Sequence, residues 1–400
     1  NDLFDLALYY TINPQGNSVV GIKKSEISYK DNLWYLNKDN NKKNKVVFDD
    51  RFSAIAIDSL QLNYKQEQIA FAGVIRDSTY KNLKVRFKDV NIGNILPPVD
   101  SLQLSGNTNG TLSFLQQEGA YFPKSNVTID NVIINTIGFG DLTLAIDGNQ
   151  DLTKYQISSS LTNNNVRSFN ALGSIDFAPK FSQLDLDVRL NDFNLKALTP
   201  FGANVITDIR GEASGALQVM GNYREPKILG TINLKNSGLK VPYLNTDFDI
   251  ANSTQMIVSS DALSIISTDI TDTKFDTKGV FSGVATHANY RDWNLNLKID
   301  APQRLLVLDT PPDEDELYYG TSFISGNAVI QGPIDELDIK VFAATQKGTT
   351  FKIPLSDTES IGDDSFIKFL SPQEKRTRIS GQQIVKKEIK GLSVDFDLDI

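Results

Sequence analysis

Few side chains in this sequence have the types and spacing that catalysis or metal binding requires. The 400 residues contain one histidine, His287, and no cysteine. Composition alone leaves a Ser–His–Asp arrangement open, but no G-x-S-x-G element presents a nucleophilic serine, and no second histidine or thiol completes a zinc site. We therefore expect His287 to be an exposed or strand-edge residue. We also expect the protein to be no enzyme and to need no cofactor.

Two acidic segments are the other candidates for chemistry. Residues 313–316 read DEDE, and Asp395, Asp397 and Asp399 alternate with apolar residues near the end of the sequence. The first segment lacks the glycine and the spaced ligands of a calcium loop. The second would place three carboxylates on one strand face, where a water-facing surface that blocks aggregation is favoured over a cation site. We predict no metal site.

The composition excludes some classes of partner. The net charge of −9 and the lack of clustered Lys/Arg argue against nucleic-acid binding, which needs cations against phosphate. The basic run 38–45 (KDNNKKNK) is interpreted as a solvated hairpin tip rather than a contact with acidic lipid or a partner. No signal peptide and no apolar run of 18 residues is present. We expect a window of a longer chain, with any membrane anchor outside it.

The elements that must carry any function are β-strands. In residues 184–190 (LDLDVRL), four apolar residues stand at every second position and charged residues lie between them. Because a strand sends successive side chains to opposite faces, this pattern makes one apolar face and one charged face. Similar runs recur between glycine- and proline-rich turns. Helix signals are confined to three short segments, Asn194–Leu198, Gln303–Leu308 and Ser365–Phe369. The pattern predicts an all-β fold.

The strand pattern is repeated three times. Each copy has a long alternating strand (LKVRFKDV, LDVRLNDF or LNLKID) followed by a second element marked by Gly106, Gly211 or Gly326, about 105 to 115 residues apart. We assign residues 1–79 as further rungs of the same sheet, 80–180 as repeat unit one, 181–290 as unit two, and 291–400 as unit three, which leads into the carboxy-terminal region. We expect one continuous structure rather than separate domains.

The apolar strand faces must be buried against something. They could close on each other as sandwiches, or one sheet could fold into a U whose interior is an apolar groove. An acyl chain would suit such a groove, since each buried methylene contributes about 0.8 kcal/mol. The predicted groove lining consists of Leu83, Val85, Phe87, Leu112, Phe114, Val127, Ile129, Leu142, Leu144, Ile146, Leu184, Leu186, Val188, Leu190, Leu217, Val219, Ile232, Leu234, Phe248, Ile250, Leu295, Leu297, Ile299, Ile339, Val341, Phe351, Ile353, Val394, Phe396 and Leu398.

The central copy resembles a known repeat. Residues 210–245 (RGEASGALQVMGNYREPKILGTINLKNSGLKVPYLN) combine a G-x-x-x-x-P turn at Gly221 and Pro226 with a strand that ends at Val241-Pro242. This form resembles the repeat of the TamB family, within the AsmA-like bridge proteins of diderm bacterial envelopes. The third copy resembles the region leading into the carboxy-terminal portion of such proteins. The first copy departs from the form, because residues 116–120 (QQEGA) replace the usual turn.

The resemblance implies an elongated β-taco, a U-shaped continuous sheet with an apolar interior. Family members are anchored in the inner membrane, here by an anchor outside this window, and cross the periplasm to an outer-membrane barrel of the TamA/BamA type. They are implicated in moving phospholipid outward and in outer-membrane protein assembly, as the translocation and assembly module. Our leading hypothesis is a lipid conduit. The alternatives are a scaffold for barrel insertion and an adhesin of three β-sandwich domains.

Overall fold

The structure is a computed structural model that describes residues 4–97, 103–180, 182–202, 206–312 and 318–352, together with the backbone of residues 392–399. Strands account for 73% of it and helices for 3%, and the strands follow one another in long antiparallel ladders. The predicted all-β fold class is therefore confirmed. A long antiparallel sheet is also what a β-taco requires.

The described chain divides into two compact units. Unit 1 comprises Asn1–Leu239 and Ile250–Leu263, and unit 2 comprises Lys240–Asp249 and Ser264–Ile400. The three segment boundaries predicted from the sequence, at residues 79/80, 180/181 and 290/291, stay predictions.

The first part of the chain contains seventeen strands and two short helices. The strands are β1 Phe4–Asp5, β2 Leu8–Ile12, β3 Ser18–Ile22, β4 Ser25–Tyr29, β5 Asn32–Leu36, β6 Lys45–Phe48, β7 Ala54–Tyr64, β8 Glu67–Arg76, β9 Tyr80–Asn91, β10 Leu104–Gln117, β11 Ala120–Ile134, β12 Ile137–Gly148, β13 Lys154–Asn163, β14 Val166–Asp176, β15 Gln183–Asn194, β16 Thr207–Asn222 and β17 Lys227–Val241. The helices are α1, Ile92–Ile95, and a 3-10 helix, Leu195–Gly202.

The second part contains nine strands. They are β18 Thr246–Ile250, β19 Thr254–Val258, β20 Ala262–Asp272, β21 Lys278–Ala288, β22 Arg291–Thr310, β23 Tyr319–Pro333, β24 Leu337–Thr345, β25 Thr350–Lys352 and β26 Leu392–Asp399. In unit 2, β21 to β24 form an antiparallel meander, and β26 pairs with β24 in parallel.

In unit 1, each strand from β7 to β16 pairs with the next strand along the chain. Strand β17 lies beside β16, since a Cβ on Gly215 would stand 2.9 Å from the Cα of Ile232. The β14–β15 ladder, from Phe169 opposite Leu190 to Asp176 opposite Gln183, crosses the predicted boundary at residue 180. Because these strands pair continuously, the first two copies are not separate sandwich domains.

The first two copies share the same β-bulge. Asp89 and Asp192 have positive φ angles of 52° and 47°. Each donates its backbone N–H to a side chain on the following strand, Asp89 to Asn109 Oδ1 at 2.8 Å and Asp192 to Ser214 Oγ at 2.8 Å. A bulge adds one residue to a strand and bends it locally. Both long strands therefore bend at equivalent positions before the helical turn that follows.

The predicted helical segments have three different outcomes. The segment Asn194–Leu198 overlaps the 3-10 helix. At the start of this helix, Asn194 Oδ1 accepts the Lys196 N–H at 3.0 Å. The helix predicted at Gln303–Leu308 is wrong, because these residues lie in β22 beyond a bulge and pair with β23. The segment Ser365–Phe369 lies outside the described residues. Helix α1 was not predicted.

The polar run at residues 38–45 is only partly solvated. Lys38, Lys42 and Lys43 are exposed, as expected for a hairpin tip. Asn44, however, is fully buried: its Nδ2 donates to Asn37 Oδ1 at 2.9 Å, and its Oδ1 accepts the Gln61 N–H at 2.7 Å. The interpretation as a solvated tip therefore holds for the three lysines and is wrong for Asn44, because its amide satisfies a backbone N–H of β7.

Gly173 in β14 shows why glycine recurs on these strands. Its φ is +154°, and a Cβ there would lie 2.0 Å from the Asp185 carbonyl oxygen and 2.8 Å from the Leu186 Cα. Only glycine permits both this backbone conformation and this close approach. The backbone of β15 at Asp185 and Leu186 occupies the space that the glycine leaves.

We expect Gly173→Ala to lower the free energy of unfolding by about 1–3 kcal/mol, through backbone strain and the clash with β15. The matched control is Gly138→Ala in β12, where φ is not positive and nothing lies within 4 Å of the added Cβ. We expect the control to be neutral or to stabilise by about 0.4–1 kcal/mol, because alanine restricts the unfolded chain. Urea unfolding monitored by circular dichroism measures both. Equal destabilisation by the two variants would contradict the explanation.

Candidate functional site

The register of the ladders places apolar side chains of unit 1 on one sheet face. Residues paired across antiparallel strands share a face, so each set of partners forms a row across the sheet. One row consists of Val85, Leu112, Ser125, Ile146, Ile157, Gly173, Leu186 and Val219. The next consists of Phe87, Gly110, Val127, Leu144, Ser159, Ala171, Val188 and Leu217.

The remaining predicted lining residues of β9 to β17 lie on the same face. Leu83 pairs with Phe114 at one side of the two rows. Ile129 pairs with Leu142 at the other side, followed along the sheet by Leu190. Leu184 pairs with Gly221, and Ile232 and Leu234 continue the face onto β17. The register thus brings these residues together in one surface.

This surface is only partly covered by protein. Of its predicted residues, the buried ones are Val127, Ile129, Val188, Ile232 and Leu234. Leu112 is 39% exposed, and the others are partly buried. In a sandwich core most of these side chains would be sealed from water. The face is instead accessible along its length.

In unit 2 the same arrangement recurs on β21 to β24. Leu297 pairs with Gly283 on one side and with Ile330 on the other, and Ile330 pairs with Ile339. The parallel register continues this row to Val394. A second row consists of Phe281, Ile299, Ala328, Val341 and Phe396. Leu295 and Leu398 lie in register with these rows.

The other predicted lining residues have individual outcomes. Phe248 is buried and Ile250 is partly buried, both on β18. Phe351 is 40% exposed on the short strand β25, where its ring stacks on Tyr318 at 5.6 Å. Ile353 lies outside the described residues. For Val394, Phe396 and Leu398 the structure describes the backbone register alone.

The predicted lining begins at Leu83, but the apolar face also includes residues before position 80. The row that contains Leu83 and Phe114 extends back through Gly73, Ile57, Val46, Val20 and Tyr10. In β1, β2 and the link between them, apolar side chains at alternate positions are at least half exposed: Phe4, Leu6, Leu8, Tyr10 and Ile12. The alternation in residues 52–62 (FSAIAIDSLQL) indicated strand β7, but the face of these early strands could be assigned only from the register.

The opposite face of unit 1 is charged and exposed. Asp185, Asp187 and Arg189 alternate with the lining residues of β15 and point to water. Cross-strand ion pairs on this face include Lys124 Nζ to Asp147 Oδ1 at 3.3 Å. Because such exposed pairs contribute little stability, their main effect is solubility of the outer surface.

The apolar face is sealed where helical turns cover it. Leu195 of the 3-10 helix packs with Ala213, Ile232 and Leu234 in a buried cluster. Helix α1 is held by Glu67, whose carboxylate accepts Asn94 Nδ2 at 2.6 Å and the Asn91 N–H at 3.1 Å. Burial raises the pKa of the Glu67 carboxyl, although these hydrogen bonds act in the opposite direction. The helical turns therefore close one border of the face.

The sequence predicted an exposed or strand-edge position for His287. The residue lies near the end of β21 and is only 8% exposed, so the exposed alternative is wrong. Its ring lies 4.5 Å from the ring of Tyr290 and 4.7 Å from that of Trp293, and its Nδ1 accepts the Tyr290 N–H at 3.1 Å. The tight turn to β22, with positive φ at Asn289 and Tyr290, folds these rings over it. The histidine has a packing role.

The part of the chain that the structure describes contains no group of three His, Asp or Glu side chains placed to hold a metal ion. No helix of that part is long and apolar enough to cross a membrane. The acidic run at 313–316 lies outside the described residues, as do the side chains of Asp395, Asp397 and Asp399.

A long antiparallel sheet with one accessible apolar face and one charged face defines an all-β protein with an apolar binding surface. Within this class, residues 268–400 match the family model described as the TamB C-terminal domain. The match confirms the resemblance to the carboxy-terminal portion of TamB proteins and supports a role in envelope assembly or transport. Searches of curated proteins and of solved structures returned no match.

We expect Leu195→Ala to lower the free energy of unfolding by about 2–5 kcal/mol, because it leaves a cavity between the 3-10 helix and β17. The control is Leu198→Ala in the same helix, where the side chain is 43% exposed and the cost should stay within about 0.5 kcal/mol. Chemical denaturation of the two variants gives the difference. A similar cost at both positions would show that the helix does not seal the face through Leu195.

Proposed function

We propose that the protein is a non-enzymatic conduit that carries phospholipid between the inner and outer membranes, with acyl chains on the apolar face. The observation that carries the proposal is the continuity of the rows in unit 1 together with their partial exposure. An apolar face of this extent that protein does not cover is a binding surface for an apolar ligand. The periplasmic location and the envelope-spanning role are supported by the TamB C-terminal domain match.

The chemistry of the rows suits movement along the sheet. A bound chain gains about 0.8 kcal/mol for each methylene removed from water. Neighbouring positions in a row offer similar aliphatic side chains, so the free energy of the ligand changes little when it moves by one strand. The face also makes few directional hydrogen bonds that would hold a ligand in one place. These properties favour transfer over storage at a single site.

The test compares two leucines that lie on opposite faces of neighbouring strands. Leu186 is on the apolar face of β15, whereas Leu172, 48% exposed on β14, pairs with Asp187 on the charged face. With the photo-crosslinking residue p-benzoyl-phenylalanine at either position, we expect phospholipid adducts at Leu186 and none at Leu172. Mass spectrometry of the protein purified from bacterial envelopes measures the adducts.

Charged substitutions give a second readout. Leu186→Glu places a carboxylate in the path of the acyl chains. When the two variants are folded to the same extent, we therefore expect less phospholipid to co-purify with Leu186→Glu than with Leu172→Glu. Absence of phospholipid from the unmodified protein, or equal loss in the two variants, would contradict the lipid-conduit proposal.

A second candidate function is a scaffold for insertion of β-barrel proteins with a TamA/BamA-type partner. The observation that favours it is β26, which among the described residues pairs on one side only, with β24. A strand with a free edge can accept a strand of a partner by β-augmentation.

Photo-crosslinking at Asp395 and Asp397 tests the scaffold. We expect capture of an outer-membrane barrel protein at these positions on β26 and none at Asp185 and Asp187, the control acids on β15. Equal capture on the two strands, or none on β26, would count against this candidate.

A further inference from the structure

Unit 1 has two different rims, one at each end of its strands. In an antiparallel meander, successive connections alternate between the two ends. The connections β6–β7, β8–β9, β10–β11, β12–β13, β14–β15 and β16–β17 lie along one rim, which we call the aromatic rim. The connections β7–β8, β9–β10, β11–β12, β13–β14 and β15–β16 lie along the other, which we call the closed rim.

The aromatic rim carries exposed rings at the border of the apolar face. Phe52 is 68% exposed, Phe177 46% and Tyr223 45%. The rings form contacts from one connection to the next: Tyr155 and Phe177 are 5.7 Å apart edge to face, and Phe177 and Tyr223 are 6.4 Å apart. Tyr155 lies on the apolar face, paired with Ile175. Aromatic rings at the border between apolar surface and water are typical of positions that meet the polar–apolar junction of lipids.

The closed rim has the opposite character. Val90 is 0% exposed beside the bulge of β9, and Leu234 is 3% exposed beneath the 3-10 helix. Phe139, near the β11–β12 connection, is 3% exposed and stacks on Phe193 at 5.8 Å. The face is therefore dehydrated around Val90, Phe139 and Leu234 at this rim, whereas Val166 at the β13–β14 connection is 45% exposed.

These two borders would orient an amphipathic ligand. Along β13, the distance from Tyr155 at the aromatic rim to the buried Leu161 is roughly 20 Å, from six residues at the rise of an extended strand. An acyl chain gains most where water is most fully excluded, whereas an ester and headgroup must stay hydrated. Resting on the proposed lipid-binding function, we propose that phospholipids lie across the strands of unit 1, with the headgroup at the aromatic rim and the acyl ends toward the closed rim.

Two single-tryptophan proteins test this orientation. The chain has two tryptophans, which Trp34→Phe and Trp293→Phe remove; the Trp34 indole N–H has no hydrogen-bond partner to lose. Phe177→Trp then reports on the aromatic rim and Phe193→Trp on the closed rim, each by a conservative exchange. The full chain is loaded with phosphatidylcholine that carries a nitroxide either on the headgroup or near the end of an acyl chain, and quenching of tryptophan fluorescence is measured.

We expect the headgroup nitroxide to quench the Phe177→Trp protein several-fold more than the acyl-end nitroxide does, and the reverse for Phe193→Trp. Equal ratios at the two positions, or the reverse order, would overturn the orientation while leaving lipid binding intact. Leu172→Trp on the charged face is the control, and quenching there as strong as at Phe177→Trp would also overturn it, by showing adsorption to the outer surface. Quenching of neither rim reporter by either label would instead refute lipid binding itself, and the orientation with it.

Discussion

The structure depends on the register of its antiparallel ladders. A strand alternates its side chains with a period of two, so a slip of one residue would move a whole set of apolar side chains to the charged face. In unit 1, pairs such as Val85 with Leu112 and Leu186 with Val219 keep the same parity across eight consecutive strands. Bulges add residues to some strands, but the resulting register shifts lie toward one end of the strands. On the central rows, the same alternate residues therefore stay on the apolar face.

Glycine and leucine act as complementary parts of the apolar face. Gly173 lies opposite Leu186, Gly230 beside Leu217, and in unit 2 Gly283 lies opposite Leu297. At each position a Cβ would meet the neighbouring strand within 3 Å; the leucine side chain lies against Gly230 and Gly283, whereas backbone atoms of β15 lie against Gly173. The face is thereby smooth and closely packed in the plane of the sheet, although protein does not cover it from above.

The asymmetry between the rims gives this face a direction across the strands. Helical turns and bulges bury Leu195 and Val90 at one rim, whereas Phe177 and Tyr223 stay exposed at the other. A surface that is dehydrated on one side and bordered by rings on the other suits an amphipathic ligand better than a purely apolar one. Movement along the rows and orientation across them are then separate properties of the same sheet. Both properties are consistent with a lipid cargo and with the envelope role that the TamB domain match supports.

Alternation and turn residues were enough to predict the all-β class, because a period of two is a local property of the chain. The repeat units and the lipid-groove lining stay predictions, although the ladders place the proposed lining residues of β9 to β16 on one face. Which strands pair, and in what register, depends on contacts between distant residues, so the earlier strands with Val20 and Ile57 were left out of the face. The same limit explains the misplaced helix at Gln303–Leu308, where a bulge interrupts the period, and His287, which a turn buries under two rings. The partial exposure of the face and the difference between its rims were decided by the tertiary structure alone, because solvent access depends on what the whole chain places above each side chain.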